Sequence, residues 1–575
     1  MVGAASTSTR SGGTPRGRGG GGWGGGPLRP PWGPRCGGVR GSRPPICAQP
    51  WPAALLALLA AIQVAARPDT PRLVIVATTD VHGRVLGWDY VRDAEAPGGL
   101  SRAAAIVETL RARFPDGVVL VDAGDLLQGN LFAAYFGRED ARQPHPLVDA
   151  LNALGYDAAT PGNHDFDFGL DLMRRAAGDA TYRHGSANIR LPVRTSRGEV
   201  DTLLFPSHAV VTRGGVRVGV TGFTTPGVMV WDRTQLQAAR VRVLPIATAA
   251  PAALRALADA DLRIALVHSG LGGGSSYDTT GVGPENAAAV LATVEPRPHL
   301  VIVGHTHREI RDTVIGGVHF VEPGNGARSL SVVYITLVAD GERYRVAEIR
   351  PDLIPLASVA EVPRLVRRLA PAHELVRTWA DQPIGTAGPG FSGRYARVED
   401  TPLLDFVNAM QRRRTGAQLS ATAAFDVNAG FREGGVRLGD VAGVYPYENT
   451  LRAVRISGAQ LRAYLEHSAR YFRVWQPGAP VVNEAVPGYD FDVVQGAEYV
   501  IDISRPVGER IGGLRVAGRA VTPRGSVTPG PSRYPRGGGG GGGTPGGGPG
   551  GGGGRRGGGG PAPGGGRGAG GGGAG

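Results

Sequence analysis

Five short clusters hold the side chains of this 575-residue chain that are best equipped for chemistry. They are "TTDVHG" at 78–83, "VDAGD" at 121–125, "PGNHDFD" at 161–167, "HSG" at 268–270 and "GHTH" at 304–307. Together they supply Asp80, His82, Asp125, Asn163, His268, His305 and His307, a set rich in imidazole and carboxylate and free of cysteine. Such donors suit a hard or borderline divalent ion such as Mn²⁺, Zn²⁺ or Fe²⁺. Seven are enough for two ions sharing one bridging carboxylate. Two ions about 3.5–4 Å apart can activate a water and clamp the oxygens of an in-line phosphoryl displacement. The chemistry this points to is phosphoester hydrolysis without a covalent enzyme intermediate. Taken singly, each Asp or His at a strand end is more simply a turn residue or a helix cap. Five clusters in order, each closing a predicted strand, are poorly explained that way.

The elements that must position these residues follow a regular alternation from residue 73. "RLVIVATTD", "GVVLVDAGD", "YDAATPGNHD", "RVGVTGF", "RIALVHSG" and "LVIVGHTH" read as buried strands, and "GGLSRAAAIVETLRARF" and "HPLVDALNAL" as helices between them. Near-continuous apolar strands separated by amphipathic stretches imply a layered α/β domain. Parallel strands gather their carboxyl ends on one edge, so the five clusters are expected to meet in space. Further on, "ASVAEVPRLVRRLAPAHELVRTW" predicts a linking helix pair broken near Pro371. A second, smaller α/β unit follows, with "TPLLDFVNAMQRRR" and "SGAQLRAYLEHSARYF" as helices and "EYVIDIS" as a strand.

The net charge of +13 is confined to the ends. Eight arginines and one aspartate precede residue 71, and eight arginines and no acid follow residue 512, which leaves residues 71–512 with 46 basic and 48 acidic groups. The folded part is therefore not basic, which argues against a nucleic-acid polymer as partner. Cys36 and Cys47 both precede the first domain, so neither a disulfide framework nor a cysteine metal site is open to the body of the chain. Residues 1–50, rich in Gly, Arg and Pro, and the Gly-rich tail 521–575 are expected to be disordered, because neither can bury enough apolar surface to offset ordering. An apolar run at 51–66 is short for a membrane span, and its ending Val64-Ala65-Ala66 suits signal-peptide cleavage. The expectation is an exported protein, periplasmic, cell-surface or secreted, without a stable membrane span.

The five clusters resemble the ordered blocks of the calcineurin-like metallophosphoesterases, and within them the secreted nucleotidase group. That resemblance implies a layered α/β/β/α catalytic domain over 71–350, a linker helix over 351–382 and a smaller α/β nucleotide-binding domain over 383–520. By position it implies that Asp80, His82 and His307 hold a first metal ion, that Asp125 bridges, and that Asn163, His268 and His305 hold a second. His164 would face the scissile phosphate, stabilising charge or protonating the leaving oxygen, and Asp167 would orient it. Asp165 is left as structural and the least costly of its group to lose, with Gly162 and Gly169 letting the backbone bend around them.

The downstream unit bears on the substrate. "VYPYENTLRAVRISGAQLRAYLEHSARYF" and "VPGYDFDVVQGAEYVIDISRPVGERI" resemble the family's C-terminal domain, in which one aromatic from each segment clasps the base. Tyr447 and Tyr489 take those places, with Phe491 the substitute for Tyr489. "GGVR" at 434–437 lies too near Pro446 to be the family's phosphate-binding block, and Asn428 and Arg432 are weaker phosphate or sugar contacts. "TTDVHGRVLGWDY" and "HSGLGGGSSYDTTGVGPENAA" favour the 2′,3′-cyclic-nucleotide 2′-phosphodiesterase/3′-nucleotidase branch. The alternatives are a 5′-nucleotidase or UDP-sugar hydrolase, or a nucleotide-binding protein inactive through truncation. The truncation reading arises because the family's closing strands are replaced after residue 523 by "RGSVTPGPSRYPRGGGGGGG", as a reading-frame change would do.

Overall fold

The computed structural model describes residues 73–140, 144–196, 198–446, 451–524 and 526–527. The stretch 1–50, the apolar run at 51–66, Tyr447 and the tail from residue 528 lie outside the described residues. Among the described residues no helix is long and apolar enough to cross a membrane.

Two six-stranded sheets carry the N-terminal half of the described chain. The first runs in the order Arg343–Pro355, Ser329–Asp340, Leu73–Thr78, Val118–Asp122, Ala158–Ala159, Arg183–His184. The second runs Ile310–Ile315, Val318–Glu322, Leu300–Val303, Leu262–His268, Val216–Thr224, His208–Arg213. The strands that end in the polar clusters pair in parallel, Val76 with Leu120 and Val121 with Ala158 in one sheet, and Val220 with Ile264 and Leu266 with Ile302 in the other. Alternation along these strands sends Leu73, Ile75, Val119 and Val121 inward to meet Val218, Leu262, Ile264 and Ile302 of the facing sheet. All eight are fully buried or nearly so, and burying each such side chain is worth about 1.5–3 kcal/mol. The opposite faces are covered by helices. Leu100–Arg113, Pro146–Leu154 and Pro363–Ala380 pack on the first sheet, and Ile246–Arg255 on the second. This is the expected α/β/β/α layering, with the strand carboxyl ends of both sheets, rather than of one, meeting at a shared edge.

The predicted break at Pro371 does not occur. Pro363–Ala380 is one helix of 18 residues that runs through it. Its buried stripe is Leu365, Leu369, Ala372, Val376 and Ala380, whereas Pro371 and Arg367, one turn earlier, are exposed. The carbonyl of Arg367 that proline leaves without a helical donor thus lies on the solvent side, where the lost bond is least costly.

The C-terminal half is built on the helices Pro402–Thr415 and Gly458–Ser468 and several short antiparallel pairs. Its helix signals were locally complete: Ser457 and Gln460 form a capping box at one start, and Gly416 in the left-handed region closes the other. The last described strand, Ser526–Val527, pairs with Ile456–Ser457. The two halves are joined by polar contacts, including Arg437 donating to the Val91 carbonyl at 3.1 Å and Arg92 to Asp426 at 3.3 Å.

Candidate active site

The polar clusters converge as the strand pattern requires. Donor atoms of Asp80, His82 and His307 lie within 4.8 Å of one another, as do those of Asp80, Asp125 and His268. Asp80 is common to both groups. Its Oδ1 stands 3.3 Å from His307 Nε2, 3.8 Å from His268 Nε2 and 3.9 Å from His82 Nε2. Asp125 Oδ2 also reaches both sides, at 3.0 Å from His268 Nε2 and 3.9 Å from His82 Nε2. His305 is outside these two groups but next to them, its backbone N–H donating to Asp80 Oδ2 at 3.1 Å, and Asn163 is buried with no hydrogen-bond partner for its side-chain oxygen and nitrogen among the described residues.

Backbone strain marks the same residues. Asp80, His82, Asp125, His305 and His307 all have positive φ, from 49° to 80°. Each costs a non-glycine residue about 1–3 kcal/mol and persists only where the surroundings impose it. Here the loops zip together: Asp80 N–H donates to the Gly124 carbonyl and His82 N–H to the Asp125 carbonyl, both at 2.8 Å. Gly169 has a φ of 90° and serves the bend expected of it. Gly162 has another function, because a Cβ there would overlap the Asp125 carboxylate.

The side-chain chemistry fits a metal. His82 Nδ1 and His268 Nδ1 lie 2.8 Å from the carbonyls of Gln128 and Ala123. A carbonyl only accepts, so each Nδ1 carries the proton and each Nε2 presents a lone pair. His82 Nε2 then confronts His307 Nε2 at 3.0 Å, and His268 Nε2 faces the Asp125 carboxylate without a well-formed hydrogen bond. Lone pairs and carboxylates collected around one space call for a cation. Burial opposes charge on His268, but Asp125 and Asp80 push its pKa up to about 10. Burial would raise the carboxyls of Asp80 and Asp125, yet His268 above all holds both well below the usual range. His82, by contrast, is lowered to about 4 by burial and stays neutral.

His164 sits on the same space without joining the donor groups. Its ring centroid is 5.4 Å from that of His82, and its Nδ1 lies 2.8 Å from Asp167 Oδ2, the partnership the family resemblance implied. Burial works against a charge on His164, but Asp167 and Asp125 outweigh it and push its pKa up to about 9. Asp165 turns away from His164. Its carboxylate accepts four backbone N–H groups, from Asp125, Leu126, Leu127 and Gly162, at 2.8–3.0 Å. The reading of Asp165 as structural holds, but not its ranking as the least costly to lose, because this one carboxylate holds the Asp125 loop against the His164 loop.

A cavity of about 640 Å³ opens over these groups, lined by His82, His164, His305, His307 and, from the C-terminal half, Tyr489. Phe491 does not share that position: it is buried, stacked on Tyr471 at 5.1 Å and edge-on to Phe472. Asn428 and Arg432 are exposed and line neither this cavity nor the neighbouring one of about 420 Å³. Arg437 of the "GGVR" stretch binds Asp440 and starts the helix Leu438–Val444, a structural task. Spacing did not single out Arg84, Gln128, Asn130, Glu285 or Asn325, which also line the cavity. Two of them lay in quoted stretches, Arg84 directly after "DVHG" and Glu285 in "HSGLGGGSSYDTTGVGPENAA", but nothing in the pattern gave either a task.

Comparison with known proteins agrees with this geometry. The calcineurin-like phosphoesterase family matches residues 73–309, and the 5′-nucleotidase C-terminal domain matches residues 382–541. A 2′,3′-cyclic-nucleotide 2′-phosphodiesterase/3′-nucleotidase of Haemophilus influenzae is 30% identical over 76% of this chain and 73% of its own length. The chain belongs to the calcineurin-like phosphoesterases that carry a 5′-nucleotidase C-terminal domain. A protein of the same description from Yersinia enterocolitica is 29% identical over 84% of this phosphoesterase and 83% of its own length. Among solved structures, one from Staphylococcus aureus described as a 5′-nucleotidase superposes with a TM-score of 0.68 at 25% identity, covering 79% of this chain and 89% of that one. By family this phosphoesterase is a hydrolase of phosphoric esters that uses divalent metal.

Proposed function

We propose that the chain is a two-metal nucleotide phosphohydrolase that opens 2′,3′-cyclic nucleotides and then removes the 3′-phosphate. The observation that carries this is one cavity lined by His82, His305, His307, His164 and Tyr489, with His82 and His307 converging on the buried Asp80 and His164 paired to Asp167. Asp80, His82 and His307 would hold one ion, and Asn163, His268 and His305 the other, with Asp125, 3.9 Å from His82 and 3.0 Å from His268, shared between them. Bound there, the ions supply a nucleophile from water and clamp the phosphate oxygens. The chain's own part is proton delivery. Asp167 holds the Nδ1 proton of His164, so Nε2 is the nitrogen with a proton to give.

In the first step a water oxygen bonds to phosphorus, the bond from phosphorus to the 2′-oxygen breaks, and His164 protonates that oxygen. In the second step the same exchange at the 3′-oxygen releases orthophosphate and the nucleoside. Tyr489 offers a π-face that accepts any base. The relatives' names support the 2′,3′-cyclic and 3′-phosphate specificity, as do the stretches "TTDVHGRVLGWDY" and "HSGLGGGSSYDTTGVGPENAA".

With Mn²⁺ supplied, the purified protein should release phosphate from 3′-AMP and convert 2′,3′-cyclic AMP. Turnover of 5′-AMP with neither of those substrates consumed would replace this reading by a 5′-nucleotidase. The apolar run at 51–66 further supports action outside the cytoplasm. Cell fractionation that left the activity in the cytosol would remove that part of the proposal.

A further inference from the structure

We infer that Glu285 is a positioning residue that sets the tautomer of His305 and so makes its Nδ1 available to the second metal ion. The inference rests on the two-metal reading above. The side-chain tautomers of the neighbouring ligands have different origins. His82 and His268 lean on the backbone carbonyls of Gln128 and Ala123, which side-chain substitution cannot remove. His305 leans on a side chain: its Nε2 lies 3.0 Å from Glu285 Oε1. A carboxylate oxygen accepts, so the ring proton sits on Nε2 and Nδ1 keeps its lone pair.

Glu285 comes from the glycine-rich loop after His268 and is built in. It is 2% exposed. Its backbone N–H donates to Ser275 Oγ at 2.9 Å, and its carbonyl accepts from Ser269 Oγ at 2.6 Å and Thr225 Oγ1 at 3.0 Å. Its second carboxylate oxygen, Oε2, is committed to the Ser276 N–H at 2.5 Å. Glu285 lies outside both groups of converging donors, so it is not itself placed as a ligand. The ring it serves is held on its face as well, by Trp231 stacked at 5.5 Å and 29°. Trp231 thus fixes the plane of His305, and Glu285 fixes its proton.

The two separate duties of the carboxylate make Glu285→Gln the decisive change. A glutamine has one acceptor oxygen, and the Ser276 N–H cannot become anything but a donor. The amide oxygen therefore goes to Ser276, the NH₂ donates to His305 Nε2, and the ring proton moves to Nδ1, where the metal should bind. In a calorimetric titration of metal-free protein with Mn²⁺, wild type should take up two ions. E285Q should weaken one step about 10–100-fold and leave the other within about twofold. The unfolding midpoint of the metal-free protein should not move, and the Mn²⁺ resonance should change from that of a coupled pair to that of a single ion. Glu285→Asp keeps the charge but withdraws the oxygen, and should show the same defect. Two unchanged steps in E285Q, a rescue by Asp, or a fall of both steps together with the unfolding midpoint would each overturn the assignment. Failure of the two-metal reading would appear separately, as a single uptake step in wild type.

Discussion

Asp165→Asn tests whether the site depends on a residue that touches neither metal nor substrate. The Asp165 carboxylate receives four backbone donors, Leu126 and Leu127 on Oδ1 and Asp125 and Gly162 on Oδ2. An asparagine of the same shape has one acceptor oxygen, so two of the four N–H groups lose their partner and face an NH₂ instead. Hydrogen bonds to a charged acceptor contribute about 1.5–3 kcal/mol each, so the gross loss is about 3–6 kcal/mol. Part of this is returned, because burial and the nearby Asp125 charge already raise the Asp165 pKa and a neutral amide relieves both. The net expectation is a loss of about 2–4 kcal/mol in the first unfolding transition of the metal-free protein in urea. Metal affinity should fall as well, because Asp125 is one of the residues whose backbone is released. An unfolding free energy within about 0.5 kcal/mol of wild type, the scatter of ordinary surface changes, together with unchanged metal uptake would refute the argument.

Three further outcomes are expected. His164→Ala should keep its full complement of metal, measured by elemental analysis, while kcat falls about 10²–10⁴-fold. Loss of metal would show His164 to be a ligand. Tyr489→Ala should raise KM for adenine and uracil nucleotides alike by about 5–150-fold, the equivalent of about 1–3 kcal/mol of stacking, with kcat little changed. His145 caps the helix Pro146–Leu154 through Nδ1, and burial lowers its pKa to about 4. The unfolded chain binds that proton below about pH 6.5 and the folded one only near 4, so stability is full above 6.5 and falls as pH drops between the two. His145→Asn keeps a capping oxygen and removes the titration. In urea melts, the loss over that range should shrink by about 3 kcal/mol relative to wild type.

The sequence by itself determined the inventory and order of the site. Asp80, His82, Asp125, Asn163, His268, His305 and His307 each follow or end an apolar strand, and parallel pairing gathers such ends within each sheet, while the packing of the two sheets face to face brings the two edges together. The His164–Asp167 pair was implied by the resemblance of "PGNHDFD" to the family's block rather than by spacing, since Asp165 stands nearer in the chain. Tertiary structure decided what depends on neighbours distant in the chain. Glu285 meets His305 from a loop 20 residues earlier, and no spacing rule announces it. Phe491 and Tyr489 are two residues apart, yet one is packed on Tyr471 and Phe472 and the other faces the cavity. Pro371 forecast a break that did not form because it fell on the solvent face, a matter of which side of the helix the core occupies. Asp165 resembled a spare acid because its four partners are backbone N–H groups, three of them about 40 residues away. Local pattern encodes which groups are available and which way strands run. The proton positions, strain and burial that give each group its task arise only when separate loops close on one another.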